Sequence, residues 1–256
     1  MTPLLRHSLA IALIAIGTSA TADAPYIGKW KFNPAKSQLT GSTFSVESAP
    51  GGMMRFDLQG FTYTFKTDGK EYPAPDGSMN TWKAVSADQW DVTSALQGKV
   101  VATYSLTAKG NTLTLKVNQK KPDGTSFESS AAYARVSGGP GVMGKWKSTD
   151  IKIPALTVDI SASGTDGITW KDDSGVTYTA KFDGKDAAAG GSMAGSKFMV
   201  SLKKTGERSF EVTTKLDGKP YFVDTFTVSA DGKTLTDNGA PVAAPQEKIT
   251  IVYERQ

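Results

Sequence analysis

Gly28-Lys-Trp-Lys31, inside Tyr26-Ile-Gly-Lys-Trp-Lys-Phe32, is written a second time as Gly144-Lys-Trp-Lys147, inside Val142-Met-Gly-Lys-Trp-Lys-Ser148. Laying the two copies over each other extends the match in both halves of the chain. Tyr63-Thr-Phe-Lys-Thr-Asp-Gly-Lys70 faces Tyr178-Thr-Ala-Lys-Phe-Asp-Gly-Lys185, and Ala108-Lys-Gly-Asn-Thr-Leu-Thr114 faces Ala230-Asp-Gly-Lys-Thr-Leu-Thr236. Each half then closes on Tyr-x-Arg, Tyr133-Ala-Arg135 and Tyr253-Glu-Arg255. Four blocks in the same order describe a tandem duplication with units of about 110 residues, close to the commonest domain size.

Each unit reads as all-β. Asp-Gly, a tight-turn dipeptide between strands, begins at positions 68, 76, 123, 166, 183, 217 and 231. Between the turns the sequence alternates: Val100, Ala102, Tyr104 and Leu106 share one face, as do Phe198, Val200 and Leu202, or Phe210, Val212, Thr214 and Leu216. A period of two places successive side chains on opposite faces of a half-buried strand. With seven or more strands per unit, closure removes the sheet edges. The expected fold is therefore two tandem small antiparallel β-barrels, over residues 25–136 and 144–256. Between them Ser137-Gly-Gly-Pro-Gly-Val-Met143 reads as a Gly/Pro linker with a reach of about 23 Å.

Residues 1–22 have the pattern of a secretory signal peptide: Arg6 and His7, the apolar run 9–16, and small residues at Ala20-Thr-Ala22. Cleavage before Asp23 and a periplasmic or secreted location are expected, with no membrane anchor. The one histidine, His7, falls in that segment, and the chain has no cysteine. Cys/His zinc sites, thiol catalysis, disulfides and a Ser-His-Asp triad are thereby excluded from the mature chain. The net charge of +4 is spread over scattered lysines, with five arginines in all. A nucleic-acid surface would cluster them on one face.

Gly139-Pro-Gly-Val-Met-Gly144 fits G-x-G-x-x-G, yet the next residues are Lys145-Trp146, whose twin opens a strand rather than a helix. Ser201-Leu-Lys-Lys-Thr-Gly206 overlaps S-x-x-K with K-T-G, which belong to separate elements in penicillin-recognising enzymes. No cofactor or metal site is expected.

Gly-x-Trp at the start and Arg at the end of each unit resemble the calycins, the lipocalins and their small bacterial relatives. The resemblance implies that Arg135 lies across Trp30 and Arg255 across Trp146, capping each barrel floor. It also implies a small apolar ligand carried inside. The inward-facing candidates are Tyr63 and Phe65 in the first unit, and Tyr178, Ala180, Phe182, Asp224 and Phe226 in the second. Ala180 replaces Phe65, so the second unit is expected to have more room, whereas Phe65, Trp82 and Trp90 have bulk enough to fill the first. Asp224, matched to Ala102, is either a polar anchor or a rim residue in contact with water. No catalytic residue is assigned, because no paired inward carboxylates are evident. A solid barrel acting through its surface, and an enzyme without His or Cys, are the competing readings.

Overall fold

The computed structural model describes residues 24–256; the signal-peptide expectation lies outside the described residues. The chain starts with β1 (Gly28–Phe32) and a 3-10 turn at Pro34–Lys36. Then come β2 (Thr43–Ala49), β3 (Met53–Leu58), β4 (Phe61–Phe65), β5 (Asp68–Pro73) and β6 (Met79–Ala84). The series continues with β7 (Gln89–Leu96), β8 (Lys99–Lys109), β9 (Thr112–Lys120), β10 (Ser126–Ser137) and β11 (Gly144–Lys152). The rest of the chain forms β12 (Thr157–Ser163), β13 (Gly167–Asp172), β14 (Val176–Lys181) and the two-residue strands β15 (Ala187–Ala188) and β16 (Gly190–Gly191). It ends with β17 (Phe198–Lys204), β18 (Ser209–Leu216), β19 (Lys219–Val228), β20 (Thr234–Pro241) and β21 (Ile249–Arg255). All pairing between these strands is antiparallel, in two nearly closed sheets, so the all-β, two-barrel architecture is as expected.

The barrels do not divide where the repeat does. Barrel I runs β4-β3-β2-β11-β10-β9-β8-β7-β6-β5, and barrel II runs β15-β17-β18-β19-β20-β21-β1-β12-β13-β14-β16. The two Gly-x-Trp strands are thus exchanged: β1 pairs with β21 and β12, while β11 pairs with β10 and β2. Barrel I is one continuous piece, 43–152. Barrel II is made of the chain on either side of it. The boundaries 25–136 and 144–256 are corrected accordingly.

Local connection is the physical reason. Residues 137–143 are not a spacer between domains; Ser137 ends β10 and 138–143 are the loop of the β10–β11 hairpin, and closing a short loop costs far less entropy than closing a long one. That loop also wraps the arginine. Arg135 donates through its guanidinium to the carbonyls of Gly139, Met143 (2.8 Å), Gly141 (2.8 Å) and Gly110 (3.1 Å). In barrel II the chain start takes the same place, and Arg255 donates to Pro25, Ile27 (3.0 Å) and Gly232 (2.7 Å).

The tryptophan–arginine closure exists, with partners exchanged. Arg135 stacks on Trp146 at 4.0 Å and Arg255 on Trp30 at 4.1 Å. Both indoles are fully buried and donate to the carbonyl four residues back, Tyr26 and Val142, each at 2.9 Å. The glycine of the motif now has its reason. Gly28 sits at φ +139°, and a Cβ there would lie 2.6 Å from the Arg255 guanidinium; Gly144, at φ +128°, would meet the Ser137 carbonyl and Arg135. Only glycine combines that backbone with that closeness to the cation.

The connectors are pinned. After Phe32 the chain follows β21: Val252 N–H donates to the Ser37 hydroxyl (2.9 Å), Gln38 bridges Thr250, and Lys36 pairs with Glu254 at 2.8 Å. Glu247, in the β20–β21 loop, accepts from the Thr43 backbone (2.8 Å), the Thr43 hydroxyl (2.7 Å) and Gln59 (2.6 Å) of barrel I. Together these groups hold Glu247 below the usual carboxylate range.

Candidate functional site

Each barrel encloses a cavity above its tryptophan–arginine floor. The one in barrel I has a volume of about 300 Å³. Its walls are aromatic, from Phe44, Phe56, Phe61, Tyr63, Trp82 and Tyr104, because inward positions of β2, β3, β4, β6 and β8 alternate with outward polar ones. Phe65 lies deeper, fully buried and stacked on Trp82 at 4.0 Å. Trp90 meets Trp82 edge-on at 6.2 Å and does not reach the cavity. The bulk of Phe65, Trp82 and Trp90 therefore builds a floor and one wall and leaves the barrel hollow. The expectation of a filled first barrel is corrected.

One side of this cavity is polar. Asp76 accepts from the Ser78 backbone (3.0 Å) and hydroxyl (2.7 Å), and buried Ser78, Asn80 and Ser94 point inward beside it. Opposite, Trp82 donates to the Tyr63 hydroxyl at 3.0 Å; burial pushes that phenol far above its ordinary range. Barrel II supplies Phe198 and Tyr221 to the mouth, and Tyr221 donates to the Leu58 carbonyl at 3.3 Å.

Barrel II holds a cavity of about 200 Å³. Tyr178, Asp224 and Phe226 line it, together with Trp170, Tyr253 and Asp237. Trp170 and Tyr178 lie parallel with ring centres 5.8 Å apart, and Phe226 stacks on Phe210 at 4.9 Å. Phe198 lines this cavity too, so one ring stands between the two chambers. Ala180 and Phe182 do not line it; both pack in the core below. Tyr26 brings a further ring into that core, meeting Phe210 edge-on at 4.9 Å and Phe182 at 5.8 Å. Barrel I has the smaller Val142 in the corresponding loop position, before Trp146 rather than Trp30. Small and large residues have been traded within one core.

Asp224 does face inward, but its counterpart is not Ala102. Val228 pairs with Leu235 where Ala108 pairs with Leu113, so the β19–β20 turn is two residues longer than the β8–β9 turn. The shift aligns Asp224 with Tyr104 and Asp237 with Leu115. The register then sets the two carboxyls diagonally beside each other on adjacent strands, Asp224 opposite Gly239 and Asp237 opposite Phe226, and both line the cavity. This overturns the expectation that no inward carboxylates pair. Burial pushes Asp224 up to about 7, and burial plus the neighbouring Asp224 raises Asp237 well above the carboxylate range. Asp237 is 4% exposed, and its Oδ1 has no hydrogen-bond partner. Gly239 makes the arrangement possible: a Cβ there would stand 2.5 Å from the Asp224 carboxyl and 2.5 Å from Phe222.

Asp237 was legible in the alternation Leu235-Thr-Asp-Asn-Gly239, which puts Leu235, Asp237 and Gly239 on one face. Its pairing with Asp224 needed the turn length.

Comparison with known protein families, curated proteins and solved structures gave no match to this chain. Among the described residues no helix is long and apolar enough to cross a membrane, and no cluster of three or more acidic groups has the makings of a metal site.

Proposed function

We propose that this is an exported, lipocalin-like binding protein of the calycin type, and that barrel I is the main chamber for a compact, largely apolar ligand. The carrying observation is the hollow of about 300 Å³ in barrel I, with aromatic walls and a polar patch formed by Asp76, Ser78, Asn80 and Ser94. Ligand sites have this composition: apolar walls supply affinity, and a few fixed polar groups orient the guest. The volume is at the lower end for such sites, which favours a molecule of one or two fused rings. The tryptophan–arginine floor and the sequence pattern support the calycin resemblance, and residues 1–22 support export. Preference for barrel I replaces the expectation that the second barrel is the better candidate, since the barrel II chamber is the smaller.

Native mass spectrometry of the protein from its own periplasm, followed by titration with indole and naphthalene, tests this reading. Ser94→Phe, which places a ring into the barrel I chamber, should abolish uptake, while Val212→Phe in barrel II should leave it intact. Exclusion of every probe by wild-type protein, with no co-purified mass, would sink the carrier idea.

A further inference from the structure

Buried carboxyl pairs normally have a cation beside them; this one has none. None of the ion pairs among the described residues involves Asp224 or Asp237. Two carboxyls side by side on one buried wall cannot both ionise without a large penalty, so near neutral pH the pair keeps one proton and carries one negative charge. That charge is buried, and Asp237 Oδ1 lacks a donor. Such a group costs stability unless something supplies a positive charge and an N–H.

We propose that the barrel II cavity is a binding site for a small organic ammonium ion, with its N–H groups on the Asp224–Asp237 pair and its carbon frame between Trp170, Tyr178, Phe226 and Tyr253. Aromatic faces attract a cation through their negative quadrupole, and more strongly once water is excluded. The cavity volume of about 200 Å³ sets the size. An apolar cavity of about 150 Å³ takes up benzene, so a one-ring amine fits. A neutral alcohol could satisfy Oδ1 but would leave the charge uncompensated. A metal ion would find two carboxyls among aromatic walls and too few oxygens to complete its shell. The inference stands on barrel II alone and is independent of the barrel I chamber.

The other titratable groups facing the pair are Tyr178 on β14, Asp172 at the end of β13 and Tyr253 on β21. Burial, with the neighbouring acidic groups, keeps both phenols neutral far above their ordinary range. Asp172 is engaged locally by Ser174 N–H (2.9 Å), Val176 N–H (3.2 Å) and Trp170 Nε1–H (3.1 Å). Inward residues of β17 and β18 at the cavity are Phe198, Val200, Val212 and Thr214, none of which titrates. The pair is therefore the group whose charge changes across neutral pH.

Isothermal titration of the full chain carrying Ser94→Phe, which closes barrel I to one-ring probes, with benzylamine, benzyl alcohol and toluene separates charge from shape in barrel II. Benzylamine should bind at least about tenfold more tightly than benzyl alcohol. Its affinity should rise between about pH 5 and pH 8 as the pair gives up its proton. Asp224→Asn with Asp237→Asn should erase that preference and flatten the profile, while Glu128→Gln, which removes an exposed carboxylate of β10, should leave both unchanged. Equal affinity for amine and alcohol, no amine binding, or a preference surviving in the double variant overturns the proposal. Should the Asp224→Asn, Asp237→Asn variant fail to fold, the Ser94→Phe chain with both carboxyls intact decides: a flat profile across that range rejects the site.

Discussion

The two barrels share a floor and differ in what stands above it. In both, an arginine from the last strand lies on a fully buried Gly-x-Trp indole and donates to a ring of backbone carbonyls. Higher up, Tyr104 and Leu115 of barrel I correspond to Asp224 and Asp237 of barrel II. The first pair makes an apolar wall, the second a buried acid. Barrel closure depends on backbone carbonyls and a glycine that cannot be exchanged, so duplication has preserved it. The chamber depends only on side-chain volume and polarity, so it has diverged. The barrels also differ in how the floor is tied: eight residues separate Arg135 from Met143, whereas 228 separate Arg255 from Ile27.

The largest effect should come from cutting the chain. Removing residues 24–32 takes β1 from barrel II and strips Arg255 of its indole, so barrel II should lose its cooperative transition while barrel I keeps its own. Calorimetry of that truncation, beside a fragment of residues 43–152, reads both barrels. A fragment of 24–136 that melts cooperatively where 43–152 does not would refute the exchange.

Next are the two tryptophans. Trp30→Ala and Trp146→Ala should each cost roughly 3–5 kcal/mol, from lost burial and the cavity left behind. Hydrogen exchange should place the first loss in barrel II and the second in barrel I, the reverse of what the order of repeats implies.

Removing the acid should act in the opposite direction. A raised pKa in the folded state means that the unfolded chain releases the proton first. The contribution of Asp224 is thus fully present below its ordinary value of 3.8 and lost as pH climbs to about 7. Asp237→Asn gives Asp224 an amide donor and removes one acid, so it should stabilise the protein at about pH 8 by on the order of 1–4 kcal/mol. At about pH 4 the gain should shrink towards zero. Denaturant midpoints at the two pH values check the sign; destabilisation at the higher one would mean the pair is not buried as described.

The smallest effect is the stacking itself. A double-mutant cycle between Arg255 and Trp30 should give a coupling of about 0.5–2 kcal/mol. The same cycle between Arg255 and Trp146 should give none. Reversal of the two results would restore each arginine to its own repeat.

Much of this architecture could be read from the chain. Period two gave the strands, the repeated blocks gave two barrels, and Gly-x-Trp with Arg gave the floor. Strand ownership could not be read, because Gly28-Lys-Trp-Lys31 and Gly144-Lys-Trp-Lys147 are chemically identical plugs and fit either socket. What decides between them is loop length, six residues from Gly138 to Met143, and that stretch looked like a spacer because it is rich in glycine. In the chamber, Tyr63, Tyr178, Asp224 and Phe226 were legible by alternation. Ala180 misled because it lies in the packed core below the cavity, to which Tyr26 from the chain start adds a ring, and no local pattern announces so distant a contribution.

The exchange also sets an order of events during synthesis. Barrel I is complete once residue 152 has emerged; β1, made first, then meets β12 on one side, but its other partner, β21, comes only when residue 255 is free. At ordinary translation rates that is a wait of about 5–20 s. Through it, β1 has one open edge, with Trp30 on one face and exposed Lys29 and Lys31 on the other. Lysines on an open edge oppose pairing with other chains. A brief window also opens after β10 is made and before β11 emerges, when β1 is the one available copy of Gly-Lys-Trp-Lys. Nearness along the chain favours β11 over that early claimant, and the first strand synthesised is closed in only by the last.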